Sequence, residues 1–234
     1  MSKSKLGILG GMGPQATELF YRRVVELTAA VKDQEHIETL ILSDTKMPDR
    51  TAAILSGDTA PVYERLLADA RFLESWGAAC IAIPCNTSHT FVPQLQKELN
   101  MPIVNMVRET AAALKERGAR RVGILATDGT IRMGLYHAAC KEVGIEAVSP
   151  AEKIQRLVMS VIYDEVKGGR PVSSDKLAAI DAALVEMGCD YGVLSCTELS
   201  VCEGWGGLKC RYLEALNVLA RRCVELCGYP LKNL

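Results

Sequence analysis

Two ten-residue stretches of this chain lie over each other without a gap: WGAACIAIPC at 76–85 and MGCDYGVLSC at 187–196. Gly77 falls on Gly188, one apolar run on the other, and Cys85 on Cys196. Upstream of each lies a second matched pair, GILGGMGP at 7–14 and GILATDGT at 123–130. Self-similarity of this kind marks a repeated structural unit, so the two halves must solve the same folding problem in the same way. Strand-like runs occur at 5–9, 37–44, 79–84, 102–106, 121–126, 145–149 and 191–195. Most are almost continuously apolar, as a parallel strand covered on both faces must be. Helix-length amphipathic stretches at 14–32, 59–76, 91–99, 107–117, 130–143, 152–167 and 174–187 separate them, and a last one runs from about 209 to 227. Strand alternating with helix predicts an α/β fold with right-handed crossovers. The expectation is two pseudo-symmetric, doubly wound domains whose parallel sheets face across a cleft. The first lobe would be 1–103 plus 207–234 and the second 104–206, with the C-terminal helix packing back on the first.

The chain is long enough for two cores, with 234 residues, 49% hydrophobic and 24% charged. A net charge of −1 spread evenly, with no basic stripe, argues against a nucleic-acid partner. The first apolar run starts at residue 6 and is too short and glycine-rich for an export signal or a membrane span, so a cytoplasmic protein without a membrane partner is expected. Nine cysteines, an odd number with no CxxC pair, then read as reduced thiols. Cys80, Cys140, Cys189, Cys223 and Cys227 read as small core residues, while Cys202 and Cys210 lie in or beside a glycine-rich loop.

Ligands of open α/β sheets bind beyond the carboxyl ends of the strands. Both glycine- or threonine-bearing turns and both repeated cysteines occupy that position. Two thiols reaching one carbon from opposite sides can invert a stereocentre: a thiolate removes a proton from one face and a thiol returns one to the other. Such chemistry requires neither metal nor organic cofactor, but it requires donors to hold the substrate and stabilise the carbanion. Asn86, Thr87, Thr127, Thr130 and Thr197 supply neutral donors, and Gly10-Gly11-Met12-Gly13 allows close backbone approach. The threonines are equally suited to helix capping. His89 and Glu198 stand near the thiols and could tune them.

Taken together, PCNTSH (84–89), SCTEL (195–199), GILGGMGP and LATDGT resemble the aspartate/glutamate racemase family, in its aspartate racemase branch, over nearly the whole chain. The resemblance implies a cofactor-independent two-base racemase of a small-molecule amino acid, with Cys85 and Cys196 as the catalytic pair and a homodimeric assembly. It implies that Met12, Asn86, Thr87, Thr127, Thr130 and Thr197 line the substrate. It also implies that Arg50, in the MPDR segment, and Lys167 clamp a side-chain carboxylate, which favours aspartate over glutamate. One departure is Ser195, where the family commonly has glycine.

Rival readings leave weaker traces. GMGPQA at 11–16 satisfies a dinucleotide fingerprint, but Pro14 removes an amide from the turn and no strand-end acid follows at the usual distance of about 20 residues. Cys85 and His89 could begin a zinc site, yet the repeat places Ser200 where a second histidine would be needed, so no metal is expected. Broad-specificity amino-acid racemisation, hydantoin racemisation or decarboxylation on the same scaffold, and a non-catalytic amino-acid-binding or thiol redox protein remain open.

Overall fold

The computed structural model describes residues 3–202 and 204–232. The chain divides into two compact units, Met1–Met106 with Leu216–Leu234, and Val107–Ala215. The first unit begins β1 (Leu6–Gly10), α1 (Pro14–Leu27), β2 (Thr39–Ser43), α2 (Arg50–Ser56), α3 (Ala60–Ser75), β3 (Cys80–Ala82) and α4 (Val92–Leu95). α5 (Met106–Glu116) then carries the chain into the second unit, which begins at Val107. It continues through β4 (Arg121–Leu125), α6 (Asp128–Met133), α7 (Leu135–Glu142), β5 (Glu146–Val148), α8 (Glu152–Ser160), α9 (Ser174–Glu186), β6 (Tyr191–Leu194), α10 (Thr197–Val201) and β7 (Arg211–Glu214). α11 (Ala215–Leu226) returns the chain to the first unit.

Both sheets are wholly parallel, in the orders β2-β1-β3 and β5-β4-β6-β7. The repeat is visible in this order, because β1 lies between β2 and β3 as β4 lies between β5 and β6. The fourth position is filled differently in the two units. β7 pairs along β6 from Tyr191↔Arg211 to Leu194↔Glu214, whereas only Ile103 bridges to Ile81 beside β3. The strand expected at 102–106 is therefore a single bridge, and α5 takes over at Met106. Conversely, 211–214 is strand rather than helix, and its pairing with β6 puts 207–215 in the second unit instead of the first.

Sequence dictates the packing at matched points. β1, β3 and β6 are buried throughout, as their apolar runs require. Strand glycines Gly7 and Gly123 let a helix come close: a Cβ at Gly123 would lie 2.2 Å from Leu184 Cδ2, and one at Gly7 3.3 Å from Leu73 Cβ. Leu73 on α3 and Leu184 on α9 hold the same place in the repeat, so each half seats one leucine on a bare strand. Leu66, Leu73, Ile81 and Leu95 anchor one core; Leu125, Ile162, Ile180, Leu184 and Leu199 anchor the other. The long helix expected at 130–143 breaks at Gly134, whose φ of 63° is easy for glycine alone. That expected at 152–167 continues from α8 as a π-helical turn, Val161–Val166. Among the described residues no helix is long and apolar enough to cross a membrane.

Candidate active site

In the first unit the strand ends bring three segments together. Gly11 has φ +87°, and a Cβ there would lie 2.4 Å from the carbonyl carbon of Asp44, just past β2, so the turn after β1 tolerates only glycine at this point. Thr17 closes the same turn: Gly11 N–H donates to its Oγ1 at 2.8 Å, and that hydroxyl donates to the Gly13 carbonyl at 2.9 Å. The Arg50 guanidinium is buried and donates to the carbonyls of Pro48 (2.9 Å), Met12 (3.3 Å) and Met47 (3.4 Å). It thus ties the 47–50 segment to the glycine turn through backbone carbonyls. Ser88 Oγ donates to the Met12 sulfur at 3.4 Å, linking the turn to the cysteine loop.

Cys85 follows β3 by way of Ile83 and Pro84; its amide donates to the Ile83 carbonyl at 2.7 Å, and the chain then curls into a 3₁₀ turn, Thr87–Thr90. The thiol residue is 5% exposed, and Asn86, Thr87, Ser88 and His89 are all buried. His89 explains why the loop holds its shape. Met106 N–H donates to Nε2 at 3.1 Å, which makes that nitrogen the acceptor, so Nδ1 carries the proton and donates to the Cys85 carbonyl at 2.9 Å. Burial pushes the imidazole pKa below its ordinary value and keeps it neutral. His89 therefore positions the Cys85 backbone, and both ring nitrogens are engaged in doing so, which leaves neither for the zinc arrangement.

The second unit repeats the placement with different chemistry around it. Cys196 follows β6 at the N-terminus of α10 and is 6% exposed. Its thiol donates to Glu198 Oε2 at 3.0 Å, and the Thr197 hydroxyl reaches the same oxygen at 3.4 Å. Burial, and after it the Glu198 carboxylate, push the Cys196 thiol well above the ordinary cysteine range. Lys167 acts in the opposite sense: its ammonium lies 3.6 Å from Glu198 Oε1 and 4.5 Å from the Tyr163 ring centroid. Thr127 caps α6 by accepting from Thr130 N–H at 3.3 Å, and the two hydroxyls lie 3.2 Å apart. Both are buried at the carboxyl end of β4. Gln155 braces this turn, donating to the Ala126 carbonyl at 2.9 Å and to Asp128 at 2.8 Å.

Residues 9–207 match the sequence profile of the Asp/Glu/hydantoin racemase family. The chain belongs to that family. Among solved structures, the Picrophilus torridus aspartate racemase is 29% identical, with 97% of this chain and 96% of that one superposed at a TM-score of 0.80. An aspartate racemase homologue from Pyrococcus horikoshii shares the fold at a TM-score of 0.79 and 24% identity, over 96% and 99% of the two chains. The broad-specificity amino-acid racemase RacX of Bacillus subtilis is 30% identical over 147 residues, which is 61% of this chain and 63% of that protein. A glutamate racemase from Shewanella woodyi is 28% identical over 126 residues, 53% of this chain and 47% of its own length. The chain thus spans between about half and two-thirds of these curated relatives.

Within each half of this Asp/Glu/hydantoin racemase family member, the expected residues gather at the strand ends: Met12, Arg50, Cys85, Asn86 and Thr87 in one, Thr127, Thr130, Cys196 and Thr197 in the other. Lys167 and Glu198 join the second group, but as partners of each other. Sequence reading missed Ser88, Gln155 and Tyr136. Tyr136 is 1% exposed and hydrogen-bonds the hydroxyls of Thr110 and Ser195; burial drives its own pKa far up. The Ser195 hydroxyl also donates to the Val193 carbonyl at 3.2 Å. The serine that departs from the family's glycine is therefore absorbed by a polar lining directly before Cys196. No spacing in the sequence links 136 to 195, so nothing short of the fold could find it.

Proposed function

We propose that the protein is a cofactor-independent racemase of acidic amino acids, aspartate ahead of glutamate, using Cys85 and Cys196 as its two bases. The observation that carries this reading is the matched placement of the two thiols, each buried just past the strand beside the first strand of its own half. One thiolate would take the α-proton and the other thiol would return a proton to the opposite face, after which the roles are exchanged. Buried hydroxyls and amides at Asn86, Thr87, Thr127, Thr130 and Thr197 would hold the α-carboxylate and the charge that develops on it. Arg50, buried at the strand ends of the first unit and tied to the glycine turn through the Met12 carbonyl, would meet a side-chain carboxylate.

A second reading, broad specificity, draws on one feature: Lys167 already has Glu198 as a counter-ion, which leaves less of its charge for a substrate's acidic side chain. Both readings meet one test. The protein is incubated in D₂O with no added cofactor and each of L- and D-aspartate, glutamate, alanine and arginine, and α-proton exchange and inversion are followed by NMR. Inversion confined to acidic substrates, abolished in both Cys85→Ala and Cys196→Ala, is expected. Equal rates on alanine and arginine would favour broad specificity. Wild-type racemisation in either cysteine variant would end the two-base assignment.

A further inference from the structure

Two thiols that exchange roles each turnover would be equivalent if their surroundings were, and here they are not. Cys196 donates to a buried carboxylate, whereas the loop around Cys85 is held by His89, a neutral ring bonded to the backbone carbonyl. Glu198 is 5% exposed; one oxygen takes the thiol and the Thr197 hydroxyl, and the other has no hydrogen-bond donor among the described residues. Lys167 supplies a counter-charge beside that second oxygen, at 3.6 Å. The geometry of this arm follows from the backbone. The π-helical turn Val161–Val166, closed by Lys167 N–H on the Ile162 carbonyl, packs against α10 and delivers Lys167 beside Glu198.

We infer that Glu198, paired with Lys167 and accepting from the thiol, keeps the proton on Cys196, so that in the resting enzyme Cys196 is the acid and Cys85 the base. The inference rests on the two-cysteine reading and adds the assignment of the proton. In the first half-reaction the electron pair of the Cys85 thiolate takes the substrate α-proton, and the Cys196 S–H bond breaks to protonate the opposite face. That leaves Cys85 as thiol and Cys196 as thiolate. The thiolate now stands against a carboxylate, which costs free energy, so this second enzyme form is the high-energy one and reverts by a net proton transfer from Cys85 to Cys196. Glu198 acts through the thiol: its Oε2 accepts from the Cys196 S–H, and it exchanges no proton with the substrate itself. Among the described residues, the charged or titratable groups around this arm include Lys167, Tyr163, Asp164, Glu165 and Cys202 from the π turn and the loop after α10, and Tyr136 behind Ser195. Of these, only Lys167 opposes the carboxylate's effect on Cys196. Because the enantiomers have equal free energies, kcat/KM must be equal in the two directions whatever Glu198 does. The asymmetry has to be sought in the free enzyme.

Thiolate-selective alkylation reads it there. The full-length protein is treated with iodoacetamide from pH 7 to 9, and labelling of each cysteine is timed by peptide mass spectrometry. Exposure does not decide the outcome, since Cys85 and Cys196 are buried to nearly the same degree. Cys85 should label first in the wild type. In Glu198→Gln, removing a like charge within hydrogen-bond distance lowers a pKa by about one to three units. With nucleophilicity falling about half as steeply as basicity, Cys196 labelling should rise between about threefold and thirtyfold at fixed pH, with Cys85 unchanged. In Lys167→Gln, Cys196 should label more slowly than in the wild type. Cys80, Cys140 and Cys227, sealed in the cores, act as internal fold reporters; if they label in one variant, the other carries the decision. Unchanged Cys196 labelling in a folded variant, or Cys196 outpacing Cys85 in the wild type, overturns the inference. A protein that shows the expected labelling yet does not racemise overturns the function instead.

Discussion

Asp69, on α3, shares a hydrogen bond with Asp44, which in turn is paired with Arg65 and accepts from Lys46 N–H. The Arg65 guanidinium holds the Asp44 carboxyl below the usual range, so Asp44 stays ionised. Burial, and then the Asp44 charge, push Asp69 up to about 6, and its Oδ2 has no hydrogen-bond donor among the described residues. An aspartate raised in this way costs stability once the pH passes the unfolded value near 4. That cost grows until the folded group ionises near 6 and is constant above. The full shift of about two units corresponds to about 3 kcal/mol. Asp69 is partly exposed, and solvent screening reduces this to about 1 kcal/mol. Asp69→Asn keeps a donor for Asp44 and removes the second charge. At pH 7 it should be more stable than wild type by about 1 kcal/mol, or about 2–4 °C in Tm for a chain of this size. At pH 4 the two proteins should melt together. Thermal unfolding of both at half-unit pH steps cancels every other titrating group in the difference. A flat difference from pH 4 to 7, or a variant less stable at pH 7, would show that the Asp44–Asp69 repulsion is absent.

Gly11→Ala demands φ near +87° from an L-residue and overlaps the Asp44 backbone, so a loss of about 3 kcal/mol is expected in urea unfolding. A loss below about 0.5 kcal/mol would mean the turn relaxes freely. His89→Gln should cost about 2–3 kcal/mol at pH 8 by loosening two buried bonds. Since the folded imidazole is held below 6.5 and the unfolded one protonates there, wild type loses this advantage as pH falls through 6.5, and the gap between the proteins should narrow. A pH-independent gap would contradict a neutral His89. Asp181→Ala strips the partner from Lys209 N–H, Cys210 N–H and the Tyr212 hydroxyl, and should cost about 2–4 kcal/mol with β7 amides exchanging first in hydrogen-exchange measurements.

What could be read in the sequence, and what could not, divides along a physical line. The parallel sheets, the glycine turn and the paired cysteines at strand ends were legible because each follows from a period or a duplication: a parallel strand is apolar along its length, and the repeat carries the cysteine with the strand before it. β7 was not legible, because RYLE at 211–214 has no strand-length apolar run. It becomes strand only through the β6 edge and the Asp181 carboxylate that receives the amides of Lys209 and Cys210. Lys167 was visible as a cation near the site but not as the partner of Glu198. That pairing depends on a π-helical turn, and in a sequence such a turn looks like an ordinary helix with one residue more. The two halves of the repeat therefore agree where the backbone carries the function and differ where a side chain tunes it. His89 grips a carbonyl in one half and Glu198 grips a thiol in the other, two different residues in loops that follow the matched cysteines of the repeat. A duplicated scaffold gives two thiols the same address. Their charge state comes from the unrepeated neighbours, which is why the protonation asymmetry inferred for Cys196 had to be sought in the fold.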